Sequence, residues 1–185
     1  MTKRILLLTG TPGVGKTSVL LRIVESLKAK GYKVGGMVSR EVRVGGGRVG
    51  FEILDLNTGK KGWLAHVGQK QGRQVGRYRL NLGDLAGIGV EAITNAATGS
   101  DVIIIDEIGP MELCSPKFKE AVRKAAESPK LIIGVVHWKA ADSLIAEIKG
   151  RDDAEVHLLT LENRGSLHGL VFRQALDFLS GTPRE

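Results

Sequence analysis

Apolar positions along the chain fall into two patterns that alternate. RILLLT (4–9), DVIIID (101–106) and LIIGVV (131–136) are short runs with few polar residues, as expected of strands covered on both faces. Val19, Leu20, Ile23, Val24 and Leu27 instead recur at helical spacing and predict a helix over 16–30, stopped by Gly31. KVGGMVSREVRV (33–44) predicts a strand, GGG (45–47) a turn and RVGFEILDL (48–56) the returning strand, after which NTGK (57–60) turns into GWLAHV (62–67). The polar, Gly-rich residues 68–76 read as an exposed loop and RYRLNL (77–82) as a short strand. Asp84 is placed to cap a helix over 85–97, and Pro116 to open a helix over 116–127. A helix over 141–149, the strand EVHLLT (155–160) and a helix over 165–179 follow. This alternation predicts an α/β fold: a mostly parallel sheet sandwiched by helices, with an antiparallel hairpin extension over about 33–67. A chain of 185 residues is most simply one domain, 1–185.

The first strand runs directly into GTPGVGKTS (10–18), which satisfies G-x-x-x-x-G-K-[ST] between a strand and a helix, the context that motif requires. A polyphosphate is wrapped by backbone N–H groups, so side chains must be missing where the chain passes closest, and Gly10, Gly13 and Gly15 supply this. The helix N-terminus adds partial positive charge. Lys16 is expected to reach the β- and γ-phosphates and Thr17 to ligate Mg²⁺. These residues make the chain a P-loop protein.

At the C-terminal end of VIIID, Asp106 falls in the crevice where such sheets bind ligands, and is expected to hold Mg²⁺ as a Walker B aspartate. Glu107 follows at once, and a carboxylate there can polarise a water for in-line attack on the γ-phosphate. Only one core strand (33–39) lies between the phosphate-loop strand and this one, making it the third of the core. The strand 131–136 is then expected beside the phosphate-loop strand, with His137 at its end facing the γ-phosphate; a partly exposed strand-end histidine is the plainer alternative.

Composition narrows the picture a little. The formal charge of +7 favours anionic partners, but the basic residues are scattered and aromatics make up only 4%. Few platforms therefore exist for stacking single-stranded bases, and nucleic acid is not favoured as the main partner. There is no run of 18 apolar residues, so no membrane partner is expected. The single cysteine, Cys114, fits a reducing cytoplasm and has no positioned base to make it a nucleophile. Trp63 and Trp138 read as packing residues.

With the phosphate loop, SREVRVGGGRVGFEI (39–53), VIIIDEIGPMEL (102–113) and TLENR (160–164) together, the chain resembles the small thermophilic nucleoside-triphosphatases, the THEP1 type, a family with a human cancer-related member. The resemblance spans essentially the whole chain. It implies slow Mg²⁺-dependent hydrolysis of nucleoside 5'-triphosphates (ATP, GTP, CTP, UTP) to diphosphate and phosphate, with low base specificity, by a monomer. It also implies nucleotide contacts from Gly10, Thr11, Pro12, Gly13, Val14, Gly15, Lys16 and Thr17, and from Ile103, Ile104, Ile105, Asp106, Glu107, Ile108, Gly109 and Pro110.

Arg43 and Arg48 bracket the GGG turn and are candidates to neutralise charge on the γ-phosphate, or else form a solvated hairpin face. Asn163 and Arg164 follow the fifth core strand and are candidates to border the nucleobase, where stacking on the guanidinium would tolerate any base. A nucleotide or small-molecule kinase is the alternative, but needs a second-substrate pocket and an arginine-bearing lid. The lid candidate, 138–153, carries only Arg151. A nucleic-acid-linked or switch-type ATPase is the third reading.

Overall fold

In the computed structural model, which describes residues 2–181, consecutive residues of each central strand serve opposite faces of one sheet. Ile5 and Leu7 of β1 (Ile5–Thr9), Ile103 and Ile105 of β7 (Val102–Ile108) and Ile132 of β8 (Leu131–Val136) point to one core. Leu6, Leu8, Ile104, Ile133 and Val135 point to the other. Period-2 alternation in which both sets are apolar explains why these strands read as uninterrupted runs. The first core is covered by α3 (Glu91–Gly99), α4 (Pro116–Glu127) and α5 (Ser143–Lys149), the second by α1 (Lys16–Ala29) and α6 (Leu167–Ser180).

The described residues form a nine-stranded sheet in the order β5-β6-β4-β3-β2-β7-β8-β1-β9, with β2 spanning Val34–Val44 and β9 Ala154–Leu158. The five strands β2-β7-β8-β1-β9 are parallel, and β8 lies between β7 and the phosphate-loop strand β1, as its place in the chain predicted. The antiparallel part runs through β3 (Gly47–Asp55) and β4 (Lys61–His66). It continues past residue 67, where the sequence suggested its end: β6 (Tyr78–Leu80) joins β4, and β5 (Gln74–Val75) joins β6. A two-residue strand carries too little periodicity to stand out in a polar loop, and Gly76 at φ 59° makes its turn.

Asp84 does not cap its helix. The chain turns three residues earlier: the side chain of Asn81 accepts from the Asp84 N–H (3.0 Å) and opens α2 (Leu82–Asp84). Asp84 instead accepts from the Trp63 N–H (2.8 Å), tying this turn to β4 where the β3–β4 register slips. A π-helical stretch, Leu85–Val90, leads into α3. The Ser115 hydroxyl caps α4, with Pro116 in its first turn.

Within the segment 138–153, α5 buries Leu144, Ile145 and Ile148 in the core, and Arg151 is paired with Asp153, so neither the helix nor that arginine lies over the cleft. The loops that follow β1, β7 and β8 open along one edge of the parallel sheet, where such folds bind ligands.

β2 passes close to β7 at Gly36, whose φ is 113° and whose missing Cβ would sit 2.1 Å from the Ile104 carbonyl oxygen. Gly36→Ala is therefore expected to destabilise the fold by at least about 2 kcal/mol. Urea unfolding checks this, and an unchanged midpoint would mean that β2 can retreat from β7.

Candidate functional site

The phosphate loop is bounded by Thr9 at the end of β1 and Lys16 at the start of α1. A Cβ at Gly10 would lie 2.6 Å from the Leu159 carbonyl oxygen, so the loop leaves the sheet through a gap only glycine fits. Val14 is buried beneath α1 and anchors the loop, while Thr11, Pro12 and Gly13 are exposed. Gly15 (φ 107°) precedes the helix without a side-chain cap, which leaves the first-turn N–H groups facing outward to an anion. Lys16 lies back across the loop, its Nζ donating to the carbonyls of Gly10 (2.9 Å) and Thr11 (3.0 Å).

Opposite the loop, the Thr17 hydroxyl donates to Asp106 Oδ2 (2.8 Å). Asp106 is 2% exposed, and its pKa is pushed up to about 7, chiefly by burial and further by the charge of Glu107. Glu107 is also raised by burial, against the opposing influence of His137 and Lys16. The register against β8 slips between Asp106 and Ile108, and both Asp106 and Glu107 line the same cleft. In a regular strand two neighbours would point to opposite faces. His137 sits at the end of β8, its N–H donating to the Ile108 carbonyl and its Nδ1 accepting from the Lys139 N–H.

A third acid, Glu112, was not singled out from the sequence, although it lies in the DEIGPMEL stretch. It is 4% exposed in the turn after β7 and also lines the cleft. A Cβ at Gly109 would stand 2.7 Å from Glu107 Oε1 and 3.2 Å from Glu112 Oε2, so the two carboxyl groups converge on that glycine. Burial pushes Glu112 up to about 8, with further raising by Glu107 and Asp106.

The cleft has a volume of about 740 Å³ and joins Pro12, Gly13, Gly15, Lys16 and Thr17 to Asp106, Glu107, Pro110 and His137. Its far side is the hairpin, including Arg43 and Arg48. Both arginines are engaged there: Arg43 Nε donates to Glu41 (2.7 Å), and Arg48 donates to Tyr78 Oη (2.8 Å) and Glu41 (3.3 Å).

Other expected contacts fall elsewhere. Ile103, Ile104, Ile105 and Ile108 are core residues whose side chains are spent on packing, so of the segment 103–110 the cleft is lined by Asp106, Glu107 and Pro110. Gly109 is set apart as the point on which two acids converge. Asn163 and Arg164 do not line this cleft. The Asn163 amide is consumed locally, accepting from the Thr160 N–H (2.8 Å) and donating to the Leu158 carbonyl (2.9 Å), while Arg164 is exposed.

Thr17 and Asp106 are hard oxygen donors held together at a helix N-terminus, and a buried carboxylate with raised proton affinity is one a cation would relieve; the donor set fits Mg²⁺. Among the described residues no cluster of three or more His, Cys, Asp or Glu is spaced to hold a metal alone. An ion at this position would lean on the phosphates of a nucleotide, as Mg²⁺ commonly does.

A phosphate loop between β1 and α1, facing an acid at the end of a neighbouring parallel strand, defines the P-loop class. The chain matches the family model described as NTPase over residues 5–172. It is 45% identical over 175 residues to Nucleoside-triphosphatase THEP1 of Thermofilum pendens, covering 94% of this chain and 96% of that one. It is 42% identical over 169 residues to the protein of the same name from Methanocaldococcus jannaschii, covering 91% and 95%. The solution structure of a human cancer-related nucleoside triphosphatase superposes with a TM-score of 0.81 at 33% identity, covering 98% of this chain and 100% of that one. The crystal structure of THEP1 from the hyperthermophile Aquifex aeolicus gives 0.78 at 29% identity, covering 90% and 96%. The chain belongs to the THEP1 nucleoside-triphosphatase family. No helix among the described residues is long and apolar enough to cross a membrane.

Glu112 is expected to make stability fall as pH rises. Its folded pKa of about 8 stands above the ordinary 4.5, so between those values the folded form holds a proton that the unfolded form has lost. The contribution is complete below 4.5 and is lost as pH climbs toward 8. Glu112→Gln is expected to flatten this dependence, gaining on the order of a few kcal/mol over the unmodified protein between pH 5 and pH 8. Urea unfolding across that range checks it; parallel profiles would show that Glu112 is ionised in the folded protein.

Proposed function

We propose that the protein hydrolyses nucleoside 5'-triphosphates to diphosphate and phosphate, with Mg²⁺ and with low base specificity. The observation that carries this reading is the position of Glu107: one residue past Asp106, partly buried, and facing the cleft that also holds Lys16 and Thr17.

Lys16 exchanges its two loop carbonyls for the β- and γ-phosphate oxygens, while the N–H groups of the loop and the first turn of α1 surround the β-phosphate. Thr17 and Asp106 would hold Mg²⁺, which would supply positive charge to offset that of the triphosphate. Glu107 orients a water and accepts its proton; burial has raised its basicity, which suits a general base. His137, beside Glu107, contacts the γ-phosphate. Arg43 and Arg48 reach the γ-phosphate only by giving up Glu41, so they add positive field from a distance.

Base tolerance follows on the other side. The Asn163 amide is already spent, leaving the exposed Arg164 guanidinium as a stacking face that distinguishes bases poorly. The working form we propose is a cytoplasmic monomer, for which the free thiol of Cys114 fits a reducing compartment.

Phosphate release from ATP, GTP, CTP and UTP, each with Mg²⁺ and no other substrate, tests the activity directly; all four are expected to be cut, and chelation to stop release. Lys16→Ala is expected to lose both binding and turnover. Glu107→Gln is expected to bind Mg·NTP normally and lose at least about 100-fold in kcat. Normal hydrolysis by Glu107→Gln would remove Glu107 as the base.

A further inference from the structure

The cleft is larger on one side than hydrolysis requires. Across the sheet the order runs β1, β8, β7, β2, β3, β4, so Glu107 on β7 stands between the phosphate loop and the hairpin. A γ-phosphate held by Lys16 and facing Glu107 leaves the hairpin half of the cleft beyond it, on the side away from the diphosphate. That half has an apolar floor of Phe51, Leu64, Val75 and Met111. One wall is the Arg48 guanidinium, whose centre is 5.1 Å from the Phe51 ring and 5.6 Å from the Tyr78 ring. Hydrogen bonds to Tyr78 and Glu41 fix it. A water poised on Glu107 needs none of this. An apolar floor beside a fixed planar cation suits a flat, partly polar ring, for which stacking and cation–π contact supply the attraction.

We propose that the hairpin half of the cleft is a phosphoryl-acceptor subsite that takes a nucleoside, its base over Phe51 and Val75 against Arg48, its sugar hydroxyl toward Glu107. The inference rests on the reading of Glu107 and the γ-phosphate given above. The hydroxyl oxygen attacks the γ-phosphorus, its proton passes to the Glu107 carboxylate, and the bond from that phosphorus to the β–γ bridging oxygen breaks. The nucleoside diphosphate leaves with the electron pair, and the acceptor departs as its monophosphate. With no nucleoside bound, water takes the same place. Because α5 is packed into the core and Arg151 is held by Asp153, no arginine of 138–153 stands over the cleft to exclude that water, and hydrolysis accompanies transfer.

The test supplies the intact protein with Mg·ATP labelled in the γ-phosphate, alone and with millimolar adenosine, guanosine, cytidine or uridine, and separates free phosphate from nucleoside monophosphate. At least one nucleoside is expected to yield labelled monophosphate and to lower free phosphate. Val75→Trp, which fills the pocket from the sheet edge, and Phe51→Leu, a milder change, are each expected to cut labelled monophosphate about tenfold or more. Both are expected to leave nucleoside-free phosphate release within about twofold. Continued phosphate release with no labelled monophosphate from any of the four nucleosides would overturn the acceptor subsite and leave hydrolysis standing. Neither product would overturn the hydrolytic reading on which it rests. Transfer that both variants leave untouched would overturn the assignment to the hairpin half.

Discussion

The hydrogen bond from Thr17 to Asp106 joins the two parts of the molecule that must meet. Thr17 is in the first turn of α1 and Asp106 at the end of β7, which is separated from β1 by the inserted strand β8. Asp106 is almost wholly buried, and a carboxylate in that position must be paired, protonated or bound to a cation. The hydroxyl of Thr17 is the hydrogen-bond partner that the fold provides. Because α1 is fixed to the sheet by its own apolar face, the hydroxyl and the carboxylate hold the start of that helix in register with the acids. The alignment of the loop's N–H groups with Glu107 follows from the same arrangement.

The hairpin extension completes the cleft by a different logic. Some of its charges pair within it: Glu41 accepts from both Arg43 and Arg48, and Arg40 pairs with Glu52, although basic residues outnumber acidic ones across this part of the chain. Exposed pairs of this kind contribute little stability, but here they fix side chains in place at the mouth of a pocket. Arg48 lies beside two aromatic rings, and the T-shaped contact between Phe51 and Tyr78 (5.3 Å) makes that wall rigid from behind. The parallel sheet thus supplies the phosphate loop, Asp106 and Glu107, and the antiparallel sheet supplies a shaped surface next to them.

What could be read from the sequence divides along the same line. The phosphate loop, the strand ending in Asp106 and Glu107, and the placement of β8 beside β1 all rest on patterns that are contiguous in the chain. The hairpin wall does not: Phe51, Leu64 and Val75 come from three strands and Met111 from the turn after β7, and only the sheet order β5-β6-β4-β3-β2-β7 brings them into one surface. Glu112 was illegible because an acid in a short turn normally reads as exposed. Ile103 to Ile105 lie in a segment the resemblance matches to nucleotide binding, yet a β-strand has to spend its interior on the two cores, and only its end reaches the cleft. The local bonding of Asn163 was illegible for the opposite reason, since asparagine near a strand end serves its own turn as readily as a base.

Three carboxyl groups, Asp106, Glu107 and Glu112, sit within one partly desolvated region, and each binds its proton more tightly than in water. The opposing charge nearby is small, consisting of Lys16, the influence of His137 on Glu107, and backbone N–H groups. Lys16 is itself turned onto loop carbonyls, leaving the acids only partly compensated. Such a site is electrostatically incomplete by itself. A divalent cation would favour the ionised form of Asp106, and a triphosphate would draw Lys16 off the carbonyls to the anion it is built to meet. Glu107 would then face a phosphorus centre whose charge is neutralised from the opposite side. Its raised basicity, a cost in the free protein, would become useful only when the nucleotide is present. On the proposed reading, the burial that costs the free protein stability would therefore serve the reaction once nucleotide is bound.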